Sequence, residues 1–149
     1  MAGRSEARRF VLQMLYLVDQ NPDADKDRIH VELRKEFTDD ALRQFSWTLF
    51  MGVIAARDEL DELLRKTAAN WRVDRMAPTD RNVLRLSLFE MTKFGTPPAV
   101  VINEAVEMAR EFGTENSSAF VNGILDKLIP SDAKTPTANV DGSSDSDEK

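Results

Sequence analysis

The chain has 149 residues, 42% of them hydrophobic, and a formal net charge of −6. That length accommodates one domain or two small ones with a real core, and the acid excess argues against general nucleic-acid affinity. With no cysteine and a single histidine, His30, disulfides and cysteine or multi-histidine metal sites are excluded.

The pattern is helical nearly throughout. The first helix is expected over residues 5–20 with Ser5 as N-cap. Phe10, Val11, Met14, Leu15 and Val18 form its apolar side, and Arg9, Gln13, Tyr16 and Gln20 form a second stripe at helical spacing. Asn21-Pro22 ends it. A shorter, more polar helix follows over about 25–37, carrying Ile29, Leu33 and Phe37. Asp39 or Asp40 opens a long helix to about residue 69, whose stripe runs Leu42, Phe45, Leu49, Val53, Leu60, Leu64 and is widened by Trp47, Phe50 and Ile54. So broad an apolar face on one helix predicts contact with more than one neighbour.

"NWRVDRMAPTD", residues 70–80, is a strong break. A helix over 80–94, with Thr79 as cap, carries Val83, Leu84, Leu86, Leu88, Phe89 and Met91. After "FGTPP", proline in the first turn suits a helix over 98–112. A last helix over 117–129 opens on Asn116 and Ser117 and stops at Pro130. No segment alternates as a strand does. The expected class is all-α, with helical subdomains at 1–72 and 73–130 and a disordered acidic tail at 131–149. No apolar run approaches the roughly 18 residues that span a bilayer, and the N-terminus does not read as a signal peptide; the expectation is a cytoplasmic protein without a membrane anchor.

Catalysis is not expected. The abundant acids sit on solvent faces of amphipathic helices, and no P-loop, dinucleotide fingerprint or metal motif is present, so neither a catalytic residue nor a cofactor is assigned. His30 reads as a surface or packing residue. The basic N-terminal end is the outlier in an acidic chain: Arg4, Arg8 and Arg9 face only Glu6. Arginines in a first turn oppose the helix dipole. They read either as a solvated helix start or as phosphate contacts. Tyr16 and Phe120 read either as core or as stacking platforms for unpaired bases. Asn116 and Ser117 are caps that also sit where a helix N-terminus offers N–H donors to an anion. Gly123, one turn beyond Phe120, leaves room for either a base or a neighbouring helix.

"EARRFVLQMLY", "NWRVDRMAPTDRNVLRLSLFEM", "PPAVVINEAVEMAREFG" and "SSAFVNGILDKL" together resemble the NusB family of bacterial transcription antitermination factors, in order and spacing, over residues 4–129. The resemblance implies an all-helical fold of two packed three-helix-type subdomains. It implies binding to single-stranded boxA RNA of nascent ribosomal transcripts, with the small-subunit ribosomal protein NusE as partner, within an RNA polymerase complex that suppresses termination. Carried onto this chain, the RNA face falls on Arg4, Arg8, Arg9, Gln13, Tyr16, Asn116, Ser117 and Phe120. Asp80 and Arg85 fall on the partner-binding side. Ser5 and Glu6 depart from the pattern, standing where many relatives are basic, which implies weaker RNA binding without the partner. A rival reading is a protein-binding or homodimeric helical module with weakened RNA binding. A third is a detached version of the NusB-like domain that precedes some RNA methyltransferases; no glycine-rich cofactor unit follows residue 130.

Overall fold

The computed structural model describes residues 2–68 and 72–129. Six α-helices account for them, without a strand among the described residues: α1 Arg4–Gln20, α2 Lys26–Glu36, α3 Asp40–Thr67, α4 Pro78–Phe89, α5 Pro98–Phe112 and α6 Ser117–Leu128. The tail at 131–149 and the break at 69–71 lie outside the described residues.

Most helix ends follow from local chemistry. The Asp25 carboxylate accepts from the Asp27 N–H at 2.9 Å, and that of Asp39 accepts from the Leu42 N–H at 3.0 Å. Each satisfies a donor that the first helical turn leaves free. Two expected caps move. α1 begins one residue earlier, with Gly3 as N-cap, and Glu6 reaches back to the Gly3 N–H at 2.8 Å. That hydrogen bond is the main reason the Glu6 carboxyl lies below its ordinary pKa. Ser5 instead donates to Glu104 on α5 at 2.8 Å. Thr79 is not a cap either; Pro78 occupies the first turn of α4, where its missing N–H costs nothing, and Ala77 precedes it.

α4 lies at the centre, packed against α1, α3 and α5, with α6 also touching it. Every residue from Asn82 to Glu90 is buried. A helix enclosed on all sides is normally apolar throughout, yet this one carries Asn82 and Arg85 and ends against the buried Glu90. Each finds a partner on another helix. Asn82 donates to Asp19 of α1 at 2.8 Å, Arg85 donates to Asp61 of α3 at 2.7 Å and 2.9 Å, and Glu90 accepts from Arg8 of α1. Around them Val11, Leu15, Leu49, Leu60, Leu64, Val83, Leu86, Ala105, Val121 and Leu125 form one continuous core. Burying each leucine or valine contributes about 1.5–3 kcal/mol.

The end of α4 departs from expectation. Instead of running helically to residue 94, the chain widens into a π-turn over Glu90–Phe94. Gly95 closes it at φ 86°, a left-handed conformation that glycine adopts without strain. The Thr96 N–H then donates to the Glu90 carbonyl at 3.0 Å, and the Thr96 hydroxyl donates to the Glu90 carboxylate at 2.8 Å. Glu90 therefore terminates the helix and receives Arg8.

Candidate nucleic-acid interface

The sequence-predicted residues divide between surface and core. On α1, the stripe of Arg9, Gln13 and Tyr16 points outward. Gln13 is exposed, and Tyr16 is 44% exposed, with the adjacent Leu17 at 41%. Arg9 is partly exposed and pairs with Glu111, at the end of α5, at 2.7 Å, with Glu104 at 3.8 Å. The pairing sets this stripe beside the end of α5. From Glu111 the chain passes through Gly113 to Asn116, which is exposed at the start of α6. Phe120 is half-buried against the core one turn further on. Arg4 occupies the upper end of α1, its guanidinium carbon 4.3 Å from the centroid of the Phe45 ring. Phe45 in turn meets the exposed Phe94 edge-on at 5.4 Å.

Arg8 is a correction. It is wholly buried, its Nε donating to both Glu90 oxygens at 2.9 Å and 3.0 Å and its Nη2 also on Glu90. No phosphate reaches a guanidinium enclosed in this way. Its burial follows from helical spacing, since Arg8 stands four and seven residues before Leu12 and Leu15, both buried. That placement was a readable signal, masked by the neighbouring arginines.

Ser117 is a second correction. It is buried, and its hydroxyl accepts from the Thr114 N–H at 2.9 Å, so it shapes the α5–α6 turn and does not face solvent. Asn116 holds the N-cap position without a side-chain capping bond. Gly123 faces open space: a Cβ there would meet nothing within 4 Å, which removes close helix approach as its explanation.

Asp80 and Arg85 also turn inward. Arg85 is 3% exposed and fixed on Asp61, with Asp19 3.5 Å away. Asp80, in the first turn of α4, is 8% exposed. An acid there complements the positive end of the helix dipole. Sequence reasoning missed the residue that organises this region, Asp19. Burial raises its pKa, but hydrogen bonds from Arg81 at 2.7 Å and Asn82, with the charges of Arg81 and Arg85, outweigh that and hold it below the ordinary aspartate value. Among the described residues no group of side chains could hold a metal ion, and no helix is long and apolar enough to cross a membrane.

Six helices among the described residues, with a polar-threaded central helix, a π-turn closing on α1 and an exposed mixed cationic, amide and aromatic stripe, define an all-α protein with a candidate surface for nucleic acid. The NusB family model matches residues 5–130, and the chain belongs to the NusB family. It is 40% identical over 131 residues to the transcription antitermination protein NusB of Desulforapulum autotrophicum, covering 86% of this chain and 92% of that one. It is 41% identical over 140 residues to its namesake from Anaeromyxobacter dehalogenans, covering 84% and 89%. Among solved structures, T. maritima NusB superposes with a TM-score of 0.80 at 31% identity, covering 89% of this chain and 97% of that one. The fold is shared as well with NusB crystallised with NusE and double-stranded RNA, at a TM-score of 0.75 and 23% identity over 84% of this chain and 94% of that one.

Proposed function

We propose that this chain is a transcription antitermination factor that binds single-stranded RNA of the boxA type together with NusE, as part of an RNA polymerase complex. The observation that carries the reading is the exposure of Tyr16 on one stripe with Arg9 and Gln13 in a member of this family. RNA is read in sequence mainly as unstacked strand, by aromatic stacking and hydrogen bonds to base edges. Tyr16 supplies a stacking face, with Phe120 half-exposed as a second. Gln13 and Asn116 supply amides for base edges. Arg4 and Arg9 supply charge for phosphates.

Arg9 is shared with Glu104 and Glu111, and the whole chain is acidic, so the RNA contact is weak without a partner. NusE supplies the remaining affinity by adding its own surface to the strand. The test is titration of a boxA oligonucleotide, single-stranded and duplex, with and without NusE. Loss of one stacking contact is worth about 1–3 kcal/mol, so Tyr16→Ala is expected to weaken single-stranded binding about 5- to 150-fold. Unchanged affinity in both arms refutes the face.

One observation favours a second reading. Leu17, beside Tyr16, adds exposed apolar area to the stripe, which suits self-association of two chains through the same surface. Sedimentation without RNA separates the two: a dimer broken by Tyr16→Ala favours the second reading, and a monomer the first.

A further inference from the structure

At the foot of α1, away from Arg4, the structure holds a cavity of ≈ 530 Å³ between α3, the short 3-10 turn Val73–Arg75 and α4. Five of its lining residues are arginines and two are aspartates, in a chain whose net charge is −6. Val73 is its one apolar lining residue. A cavity so lined does not suit an apolar ligand.

The arginines fall into two tiers. Arg81 and Arg85 form the floor. Asp19 holds the first at 2.7 Å, and Asp61 holds the second in a fork at 2.7 Å and 2.9 Å. Those cations are neutralised. Arg57, Arg65 and Arg72 form the mouth, 44%, 60% and 68% exposed. Arg57 stands 3.9 Å from Asp19 Oδ1 and 3.9 Å from Asp61 Oδ2, the second of which Arg85 already engages at 2.9 Å. Arg65 pairs with Glu62 within α3, and Arg72 pairs with Asp74 two residues on, all four side chains more than half exposed. Exposed pairs of this kind hold weakly and exchange partners readily. Guanidiniums converging on one aqueous cavity repel one another, and an anion between them relieves the repulsion. The planar fork of each guanidinium matches the oxygens of a phosphate.

We infer that this cavity binds a phosphate group, held by Arg57, Arg65 and Arg72 above the neutralised floor. Free phosphate and the backbone of an RNA strand offer the same chemistry. Placement favours the strand: Tyr16 lies one turn before Asp19, and Asp19 holds Arg81 in the cavity floor. A strand stacked on Tyr16 and running towards the C-terminal end of α1 meets the cavity. That assignment of source rests on the RNA-binding reading above; the phosphate site itself does not.

The test compares the unaltered chain with the double variant Arg57→Gln/Arg72→Gln. A control, Arg28→Gln/Lys35→Gln, makes the same charge change on the exposed face of α2. Thermal unfolding checks that all three are folded. In one arm, inorganic phosphate is titrated by calorimetry. In the other, a single-stranded oligonucleotide is titrated at two salt concentrations. Saturable phosphate binding that weakens at least fivefold in the cavity variant and not in the control supports a phosphate site. A five- to tenfold loss of RNA affinity confined to the cavity variant, with the salt slope shallower by about 0.7 for the one lost phosphate contact, assigns the site to the RNA backbone. No saturable phosphate binding together with unchanged RNA affinity, or equal losses in variant and control, overturns the inference. Tyr16→Ala, measured alongside, tests the stacking face independently: phosphate binding in the cavity survives if that face alone fails.

Discussion

A guanidinium enclosed on all sides carries a desolvation cost that only a closely fitted carboxylate offsets. Glu90 meets that requirement for Arg8, and the Thr96 hydroxyl takes up further capacity on the same carboxylate. Removing one partner strands the other. Glu90→Gln is therefore expected to lower unfolding free energy by about 3–5 kcal/mol, read from the urea midpoint. The apolar pair Arg8→Met/Glu90→Leu should recover most of that loss, because the two paired charges leave together. Gly123 gives the opposite sign. Its surroundings are open, so Gly123→Ala is expected to stabilise α6 by about 0.5–1 kcal/mol. If RNA affinity falls at the same time, the space beside Phe120 is occupied by the strand. At this scale the sequence was misleading where charge adjacency and helical phase disagree. Arg8 and Arg9 are neighbours in the chain, but 100° of rotation separates a core position from a surface one.

Between elements, contacts are set by what each helix can bring close to α4. Gly52 on α3 is where the Phe89 ring lies against the backbone. A Cβ there would approach Phe89 ring carbons at 2.1–2.8 Å. Gly52→Ala should destabilise by about 1–3 kcal/mol as the ring is displaced, with a lowered thermal midpoint as the readout. Asp19 joins α1 to α4 through Arg81 and Asn82. Its folded pKa is depressed, so its contribution is fully present above the ordinary aspartate value near 3.9 and is lost as pH falls through the folded value. Urea midpoints measured from pH 7 down to pH 3 should fall more steeply for the natural chain than for Asp19→Asn. The helices themselves were readable from period, and the Asp39 cap of α3 with them, whereas the caps expected at Ser5 and Thr79 moved to Gly3 and Ala77. The π-turn was not, because nothing in "FEMTKFG" marks it until Glu90 is known to be tied to Arg8.

For the molecule as a whole, electrostatics decide how nucleic acid is approached. The chain carries −6 overall, so its cationic places act locally against a repulsive background. Two phosphate contacts, from Arg4 and Arg9, predict a slope of about −1.4 in log K against log salt for single-stranded RNA; one more phosphate at the cavity mouth brings it to about −2.1. A titration series across salt concentrations measures the difference directly.

The helical class, the element order and the family were determined by the sequence alone, because helical period, caps and motif spacing are properties of neighbouring residues. The outward stripe of Gln13 and Tyr16 was legible for the same reason. Which polar residues are surface and which are core was decided by tertiary structure. Arg8, Ser117 and Arg85 read as binding residues in one dimension; in three, Arg8 and Arg85 are taken by Glu90 and Asp61 from other helices, and Ser117 is buried in the turn with Thr114. Two of those pairings span many residues, and the same packing gathers arginines from α3 and α4 around one cavity. No local pattern encodes such meetings, since they exist only once α4 is enclosed by its neighbours.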